Sequence, residues 1–461
     1  MAKKRGQGVE IVKPPLLGFL PMEFFDGIKR SQMISPGALI FAILAISPII
    51  VWLAHFPDSV MNPWVAGAKT CAFLAISTLS INYILAVRWS VMENLFGGLD
   101  RMYRVHKAMG RTSLVLMILH PIFLGISKVP DWDTILTFVI PIGPWEVSAG
   151  VVALYIFIIL IALTVAVRIS YHLWHVSHKF LGIVLVLSLI HAIFAGSDMG
   201  SYPILRFWII LLSMGGLLSY VFMLFFYKLV GPRYRSEVVR AQHLSDITDL
   251  HMRKPKNFHY QPGQYIFLRF PRFEGFRELF PFSISNDPCQ DTIRVSIRRS
   301  GDYTSEKIPQ VKRGDDVIIM GPYGKFGERY LRHDKDMVWI AGGIGITPFL
   351  SLAKHEPMFP TGRKIKLIWV FRNPKDPVHD SELFSEARKN KNFDYVHWIS
   401  SQKGRIDADR VSEILGGDDE LRRRIILMCG PPQMMRSISK QLHKKGIPYR
   451  HMLFEDFQML D

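Results

Sequence analysis

Residues 106–120 read HKAMGRTSLVLMILH and residues 178–191 read HKFLGIVLVLSLIH, two apolar stretches each opened and closed by a histidine. On a helix, the 14-residue offset from His106 to His120 covers about 21 Å and the 13-residue offset from His178 to His191 about 20 Å. Each stretch so carries one imidazole near either face of a bilayer whose hydrocarbon core is about 30 Å thick. An ionisable side chain at that depth is expensive and marks function by default. Taken singly, each histidine reads equally well as an interhelical hydrogen-bonding residue. Four at two matched depths instead make two bis-histidine sites, His106 with His178 and His120 with His191. Facing imidazoles in a helix bundle suit haem iron in its six-coordinate, electron-carrying state. Rotation is less tidy: at about 100° per residue, 14 residues return to within roughly 40° of the starting face, whereas 13 miss by roughly 140°. The helix carrying His178 must tilt or bulge. His175 and His172 are rival ligands, but their offsets of 16 and 19 residues from His191 imply about 24 and 28 Å, a poorer depth match. His178 is preferred and His175 is the reserve.

The chain around these stretches has 461 residues, 49% of them hydrophobic and 21% charged, which is too apolar for an average soluble protein. Pro36 to Ala54, Val147 to Val167 and Phe207 to Tyr227 contain no Asp, Glu, Lys or Arg. Trp64 to Val87 carries only Lys69, a third stretch runs from about Val105 to Ser127, and Phe180 to Ser197 has His191 as its ionisable group. Six transmembrane helices are expected. Basic residues collect at one set of span ends: Lys3, Lys4, Arg5, Lys13, Lys29 and Arg30; Arg88, Arg101 and Arg104; Arg168 and Lys179; Lys228, Arg233 and Arg235. The positive-inside rule makes these ends, and both termini, cytoplasmic. The opposite connections are short and hold Lys128 and Arg206 alone, so no folded external domain fits there. Met1 to Ser35 is polar and basic, with no apolar core of a cleavable signal. The cysteines, Cys71, Cys289 and Cys429, are too few and too scattered for a disulfide framework. Disorder, collagen and secreted disulfide scaffolds are excluded.

After Gly231-Pro232 the pattern changes to short β-branched and aromatic runs, among them Ser236 to Arg240, Gln264 to Phe270, Thr292 to Arg298 and Asp316 to Met320, as in a small antiparallel barrel. From Met337 strands alternate with helical stretches, as in a doubly wound parallel sheet. Its first turn, Ala341-Gly342-Gly343-Ile344-Gly345-Ile346-Thr347-Pro348, follows an apolar strand and opens a helix, where glycines let the backbone approach a pyrophosphate. A plain strand-to-helix turn is the alternative. Arg372 stands after the second strand of this lobe, where such folds contact the adenosine ribose, and Arg405 is expected as a second phosphate partner; either one alone reads as a solvated surface charge. An arginine there suits the 2′-phosphate of NADPH. The expected organisation is a multi-domain membrane protein: a cytoplasmic N-terminal segment 1–35, an all-α six-helix transmembrane bundle 36–230, an antiparallel β-barrel lobe 231–332, to which the resemblance described next assigns FAD, and an α/β NADPH lobe 333–461.

These residues resemble the NADPH oxidase and ferric reductase superfamily, in a compact bacterial-type form, over about Ser31 to Phe457. The membrane part of the resemblance rests on His106, on His120-Pro121 and on Trp174 to Lys179 followed by His191. The soluble part rests on Pro281-Phe282-Ser283-Ile284-Ser285, Ile297-Arg298-Arg299-Ser300-Gly301-Asp302-Tyr303-Thr304, Gly321-Pro322-Tyr323-Gly324, the Gly342 to Pro348 turn and Cys429-Gly430-Pro431-Pro432. The resemblance implies two b-type haems, FAD and NADPH. Phe282 and Ser283 would lie against the isoalloxazine, with Pro281, Ile297 and Tyr303 in the same flavin stretches, and Arg298 and Thr304 near the FAD pyrophosphate. Gly342, Gly343, Gly345, Thr347, Pro348, Cys429, Gly430 and Pro431 would lie against the pyridine nucleotide, and Phe457 would stack on the flavin. Ser283, Cys429 and Phe457 would be the catalytic contacts. Phe280 departs from the Arg or His usual before Pro-Phe-Ser, which implies weakly held FAD. Electrons would pass from NADPH through FAD and both haems to an outer acceptor, dioxygen giving superoxide or, in second place, a ferric chelate. A redox-sensing channel or sensor is the reading from another class. Without an EF-hand or Pro-rich tail, activity is expected to be constitutive, with no obligatory protein activator and no nucleic-acid partner. The expected location is a bacterial plasma membrane.

Overall fold

The computed structural model describes residues 35–165, 171–195, 198–273, 280–358, 362–374 and 378–455. Six helices among them are long and apolar enough to cross a membrane: Pro36–Leu53, Pro63–Leu85, Leu99–Lys128, Trp145–Thr164, Leu173–Phe194 and Pro203–Phe226. Capping agrees with sequence at two starts. Ser35 accepts from the Ala38 amide and Asn62 from the Trp64 and Val65 amides, each directly before a helix-opening proline. The second span is the centre of the bundle, against the first, third and sixth. Of the six spans it is the one most buried inside the protein, packed against other helices more than toward lipid. Its hydroxyls bond across to other spans, Thr78 to Ser113 at 2.8 Å and Ser80 to Ser213 at 3.3 Å. A methyl on Gly216 would meet the Ser80 carbonyl oxygen at 2.6 Å, so glycine is what lets the sixth span approach that closely.

The fifth span corrects the sequence reading, which began it at Phe180. The apolar helix starts at Leu173, and it is two helices, Tyr171–Lys179 and Leu181–Phe194, meeting at a turn through Phe180. That break lies between His178 and His191 and supplies the rotation an unbroken helix lacked.

Six strands follow: β1 (Arg233–Leu244), β2 (Ile247–Arg253), β3 (Tyr265–Arg269), β4 (Phe280–Ser283), β5 (Thr292–Arg298) and β6 (Asp316–Tyr323). They form one antiparallel sheet in the order β4-β3-β6-β1-β2-β5, and a bridge from Ile284 to Val295 joins its two edges into a barrel. The second sheet is parallel, in the order β11-β10-β7-β8-β9, from β7 (Met337–Gly342), β8 (Ile365–Phe371), β9 (Phe393–Ile399), β10 (Ile425–Cys429) and β11 (Met452–Glu455). Helices cover both faces: Thr347–His355 and Asp380–Lys389 pack through Phe349 and Leu383 on one, Ala408–Leu415 and Pro432–Lys444 through Val411 and Ile438 on the other. The strand order reverses between β7 and β10, and a doubly wound sheet binds its ligand at that crevice.

The barrel is seated on the membrane bundle. Phe41, Leu85, Phe96 and Met102 of the bundle share one buried cluster with Tyr265, Phe267, Met320 and Tyr323 of the barrel. Burying a large apolar side chain contributes on the order of 2 kcal/mol. Polar contacts fix the register: the Tyr227 and Tyr323 hydroxyls lie 3.0 Å apart, the Gly324 amide donates to Glu93 Oε1 at 2.7 Å, and Arg329 donates to the Gly97 carbonyl.

Candidate functional site

The four membrane histidines come together in the expected pairs. The ring centroids of His106 and His178 are 6.2 Å apart, and so are those of His120 and His191. At the roughly 2 Å bond length of imidazole–metal ligation, two rings on opposite sides of one ion have centroids about 6 Å apart, so the spacing of each pair suits one shared metal ion. Backbone carbonyls orient the rings: His106 Nδ1 faces Asn82 O at 3.1 Å, His120 Nδ1 faces Ala68 O at 2.9 Å and His191 Nδ1 faces Glu146 O at 2.8 Å. A carbonyl requires a donor, so Nδ1 carries the proton and Nε2 is left with its lone pair, as a metal-binding imidazole needs. His178 is held instead by stacking on Trp174, centroids 5.3 Å apart and planes 25° apart. The reserve ligand His175 is exposed, and the His172 side chain lies outside the described residues. None of the three carbonyls was legible in the sequence, since any residue presents one.

The barrel sits at the His106 end of the bundle. In the β3–β4 register Tyr265 pairs with Ser283, Ile266 with Phe282, Phe267 with Pro281 and Leu268 with Phe280. Ser283 is buried, and Phe280 stacks on Tyr303 with centroids 4.5 Å apart and planes 18° apart. The aromatic residue standing where a basic one was expected is therefore packed against the second flavin segment. Ile297 is buried in the barrel core, so it offers a ligand only its backbone. The Thr304 hydroxyl accepts from the amides of Ser300 and Gly301, which shapes that turn. Arg298 pairs with Asp246 at 2.6 Å while reaching across to Gly343, and the two line a cleft between the lobes with Trp369 and Phe371.

At the crevice the glycines do more than admit a ligand. A methyl on Gly345 would stand 2.4 Å from the Cys429 carbonyl oxygen, and one on Gly430, whose φ is +154°, would stand 2.8 Å from Gly342 Cα. The two turns pack against each other across the adjacent ends of β7 and β10. Thr347 and Pro348 are buried at the start of the helix, with the Thr347 hydroxyl donating to Ile344 O at 3.1 Å. Pro431 closes on Gly342, while Cys429 is 1% exposed, so its thiol is part of the core beneath the crevice. Arg372 and Arg405 are exposed beyond the ends of β8 and β9, and Ser401 bonds to the Arg372 carbonyl between them. Phe457 lies outside the described residues.

Sequence reasoning missed a network between the lobes. Arg294 of β5 binds Glu382 with both terminal nitrogens, at 2.6 and 2.8 Å, and also binds Asp249 of β2, while His379 completes the group. Asp249, His379 and Glu382 have the spacing of a metal site, but the guanidinium is their cation. Burial alone would raise the Glu382 carboxyl; hydrogen bonds from His379 and Arg294 and the charge of Lys354 pull it well below the ordinary range. Nothing in the local sequence signals a contact spanning 88 residues. At the bundle–barrel seam, burial raises the carboxyl groups of Glu93 and Glu455 above their usual range.

Comparison with known proteins gives three matches in chain order. Residues 71–189 match a ferric reductase like transmembrane component, 235–326 an FAD-binding domain and 339–440 an oxidoreductase NAD-binding domain. The reductase component of propane 2-monooxygenase from Rhodococcus jostii is 24% identical over 234 residues, covering 48% of this chain and 63% of that protein. A heavy chain of the superoxide-generating NADPH oxidase of Dictyostelium discoideum is 24% identical over 219 residues, covering 42% of each. In both cases the chain spans less than two thirds of the relative's length. A flavohemoglobin structure from Malassezia yamatoensis with bound FAD and heme aligns at a TM-score of 0.48 and 17% identity, covering 87% of this chain and 97% of that one.

Proposed function

The chain belongs to the ferric reductase and NADPH oxidase superfamily, and from that premise we propose that it carries electrons from cytoplasmic NADPH, through FAD and two haems, to dioxygen at the outer face, giving superoxide. The observation that carries this reading is the two histidine pairs at matched 6.2 Å separations, one at each end of the bundle, with the dehydrogenase lobes docked at the His106 end. When bound, FAD takes a hydride and releases electrons singly, and six-coordinate haem iron passes single electrons onward.

The chain's own residues hold and orient these groups. His106 with His178 and His120 with His191 present Nε2 pairs, three of the four rings fixed by a backbone carbonyl. Strand β4 and the turn from Arg298 to Thr304 receive the flavin; the crevice between Gly342–Pro348 and Cys429–Pro431 receives the nicotinamide end. Arg372 and Arg405 select the 2′-phosphate through charge-assisted hydrogen bonds. His106 with His178 and His120 with His191 would each hold one haem from both sides, a group that would supply single electrons to an acceptor without binding it.

Charge at the outer connections favours a small neutral acceptor. Asp58, Asp131, Asp133, Glu146 and Asp198 stand there against Lys69, Lys128 and Arg206, and Lys69 is already paired to Asp198 at 3.0 Å. An anionic ferric chelate meets no cationic cluster. The test is NADPH-driven cytochrome c reduction by the purified protein in detergent, with and without superoxide dismutase. Dismutase-sensitive reduction is expected. Turnover with ferric chelates alone would replace the oxidase reading by the reductase one, and absence of a b-type haem spectrum would leave a flavin-containing sensor.

A further inference from the structure

We propose that Arg88 is a positioning residue for electron entry into the membrane: a fixed cation between the flavin-binding strand and the inner histidine pair that favours the reduced form of the group held by His106 and His178. The inference rests on the proposed electron path and adds to it the residue that biases its first membrane step.

Arg88 follows the second span, and its side chain is half-buried in the seam between bundle and barrel. On one side its guanidinium lies 4.7 Å from the ring of Phe267, which is 1% exposed and pairs with Pro281 of the flavin strand. On the other side its Nε donates to the Tyr103 hydroxyl at 2.8 Å, and the Tyr103 ring stands edge-on to His106 with centroids 6.2 Å apart. The line from flavin strand to inner ligand thus runs Pro281, Phe267, Arg88, Tyr103, His106.

Among the described residues Arg88 has no carboxylate partner, unlike Arg294, which has Asp249 and Glu382. A cation withdrawn from water without a counter-anion is costly, and aromatic faces and one hydroxyl offset only part of that cost. The charge is matched when the neighbouring site becomes more negative. Each electron passed from reduced flavin to the inner site turns one ferric iron ferrous and adds one negative charge there, while the flavin proton stays behind. The guanidinium carbon lies 5.9 Å from the Tyr103 ring and that ring 6.2 Å from His106, which bounds the charge within about 12 Å of the inner pair. At roughly that distance and an effective dielectric near 20, one unit charge shifts an equilibrium by about tenfold.

The experiment is an anaerobic redox titration of the full chain in detergent, following inner-haem absorbance at fixed potentials, for wild type, Arg88→Met and Arg88→Lys. Loss of the cation is expected to lower the ferrous-to-ferric ratio at a given potential about tenfold, with the lysine variant within about twofold of wild type. The rate of inner-haem reduction relative to flavin reduction by NADPH should fall in Arg88→Met alone. Should the methionine variant not fold, Arg88→Gln gives the same reading. An unchanged ratio in the neutral variants, or an equal fall in the lysine variant, overturns the role of the charge. Absence of haem from the wild type would instead overturn the electron path itself.

Discussion

Gly150 offers a test of the outer histidine pair that leaves every proposed ligand in place. It lies one helical turn after Glu146, whose carbonyl accepts from His191 Nδ1 at 2.8 Å. A methyl at Gly150 would stand 2.8 Å from His191 Nδ1, 2.9 Å from Cγ and 3.1 Å from Cε1, against an ordinary contact of 3.4 Å or more. The ring must retreat by roughly half an ångström. Overpacking of this kind costs about 1–3 kcal/mol, and the strained hydrogen bond adds about 1 kcal/mol. Disturbing a group that orients a ligand typically lowers metal affinity about 10–100-fold. Gly150→Ala should therefore lose outer haem during purification, moving the pyridine haemochrome content from two per chain toward one. Superoxide output should fall with it while NADPH still reduces the flavin. Gly215→Ala is the control, because its nearest neighbour would be Ile84 Cδ1 at an ordinary 3.6 Å. Two full-occupancy haems with unaltered potentials in Gly150→Ala would refute the placement of His191.

Three further outcomes are expected. In Gly345→Ala the added methyl meets the Cys429 carbonyl at 2.4 Å, so β7 and β10 must part at the crevice; KM for NADPH should rise at least tenfold in steady-state assays, with FAD content retained. Arg372→Ser should reduce the preference for NADPH over NADH by about tenfold or more in kcat/KM, as expected when a charge-assisted contact to a phosphate is lost. Glu382, held below the ordinary carboxylate range, contributes stability that is fully present above its unfolded pKa near 4.3 and is lost as pH falls toward its depressed folded value. Thermal unfolding of the soluble lobes should accordingly weaken below about pH 4.3 in wild type and change less in Glu382→Gln.

The membrane architecture was legible because lipid imposes a length and a composition, and because two histidine spacings imply two depths. The same spacing predicted that the fifth helix could not run straight, but Phe180 carries no breaker signature, so the place of the break came from packing. The Gly342 to Pro348 turn was legible as a crevice, whereas the reason for Gly345 and Gly430 was not: each faces the backbone of a strand about 85 residues away. Long-range polar pairs, such as Glu93 with the Gly324 amide, were also hidden, since a carboxylate in a short connection looks like any solvated charge. Phe280 read as a lost flavin contact; its stacking on Tyr303 shows a packing role that one sequence position cannot reveal.

The proposed path takes electrons across the membrane between two bis-histidine haems. The most direct measurement is the haem content and anaerobic NADPH reduction of wild type beside His191→Ala. Two b-type haems per chain, both reduced by NADPH in wild type, and a single NADPH-reducible haem in the variant are the predicted result. A variant that still holds two haems, or a wild type whose haems NADPH does not reduce, would contradict it.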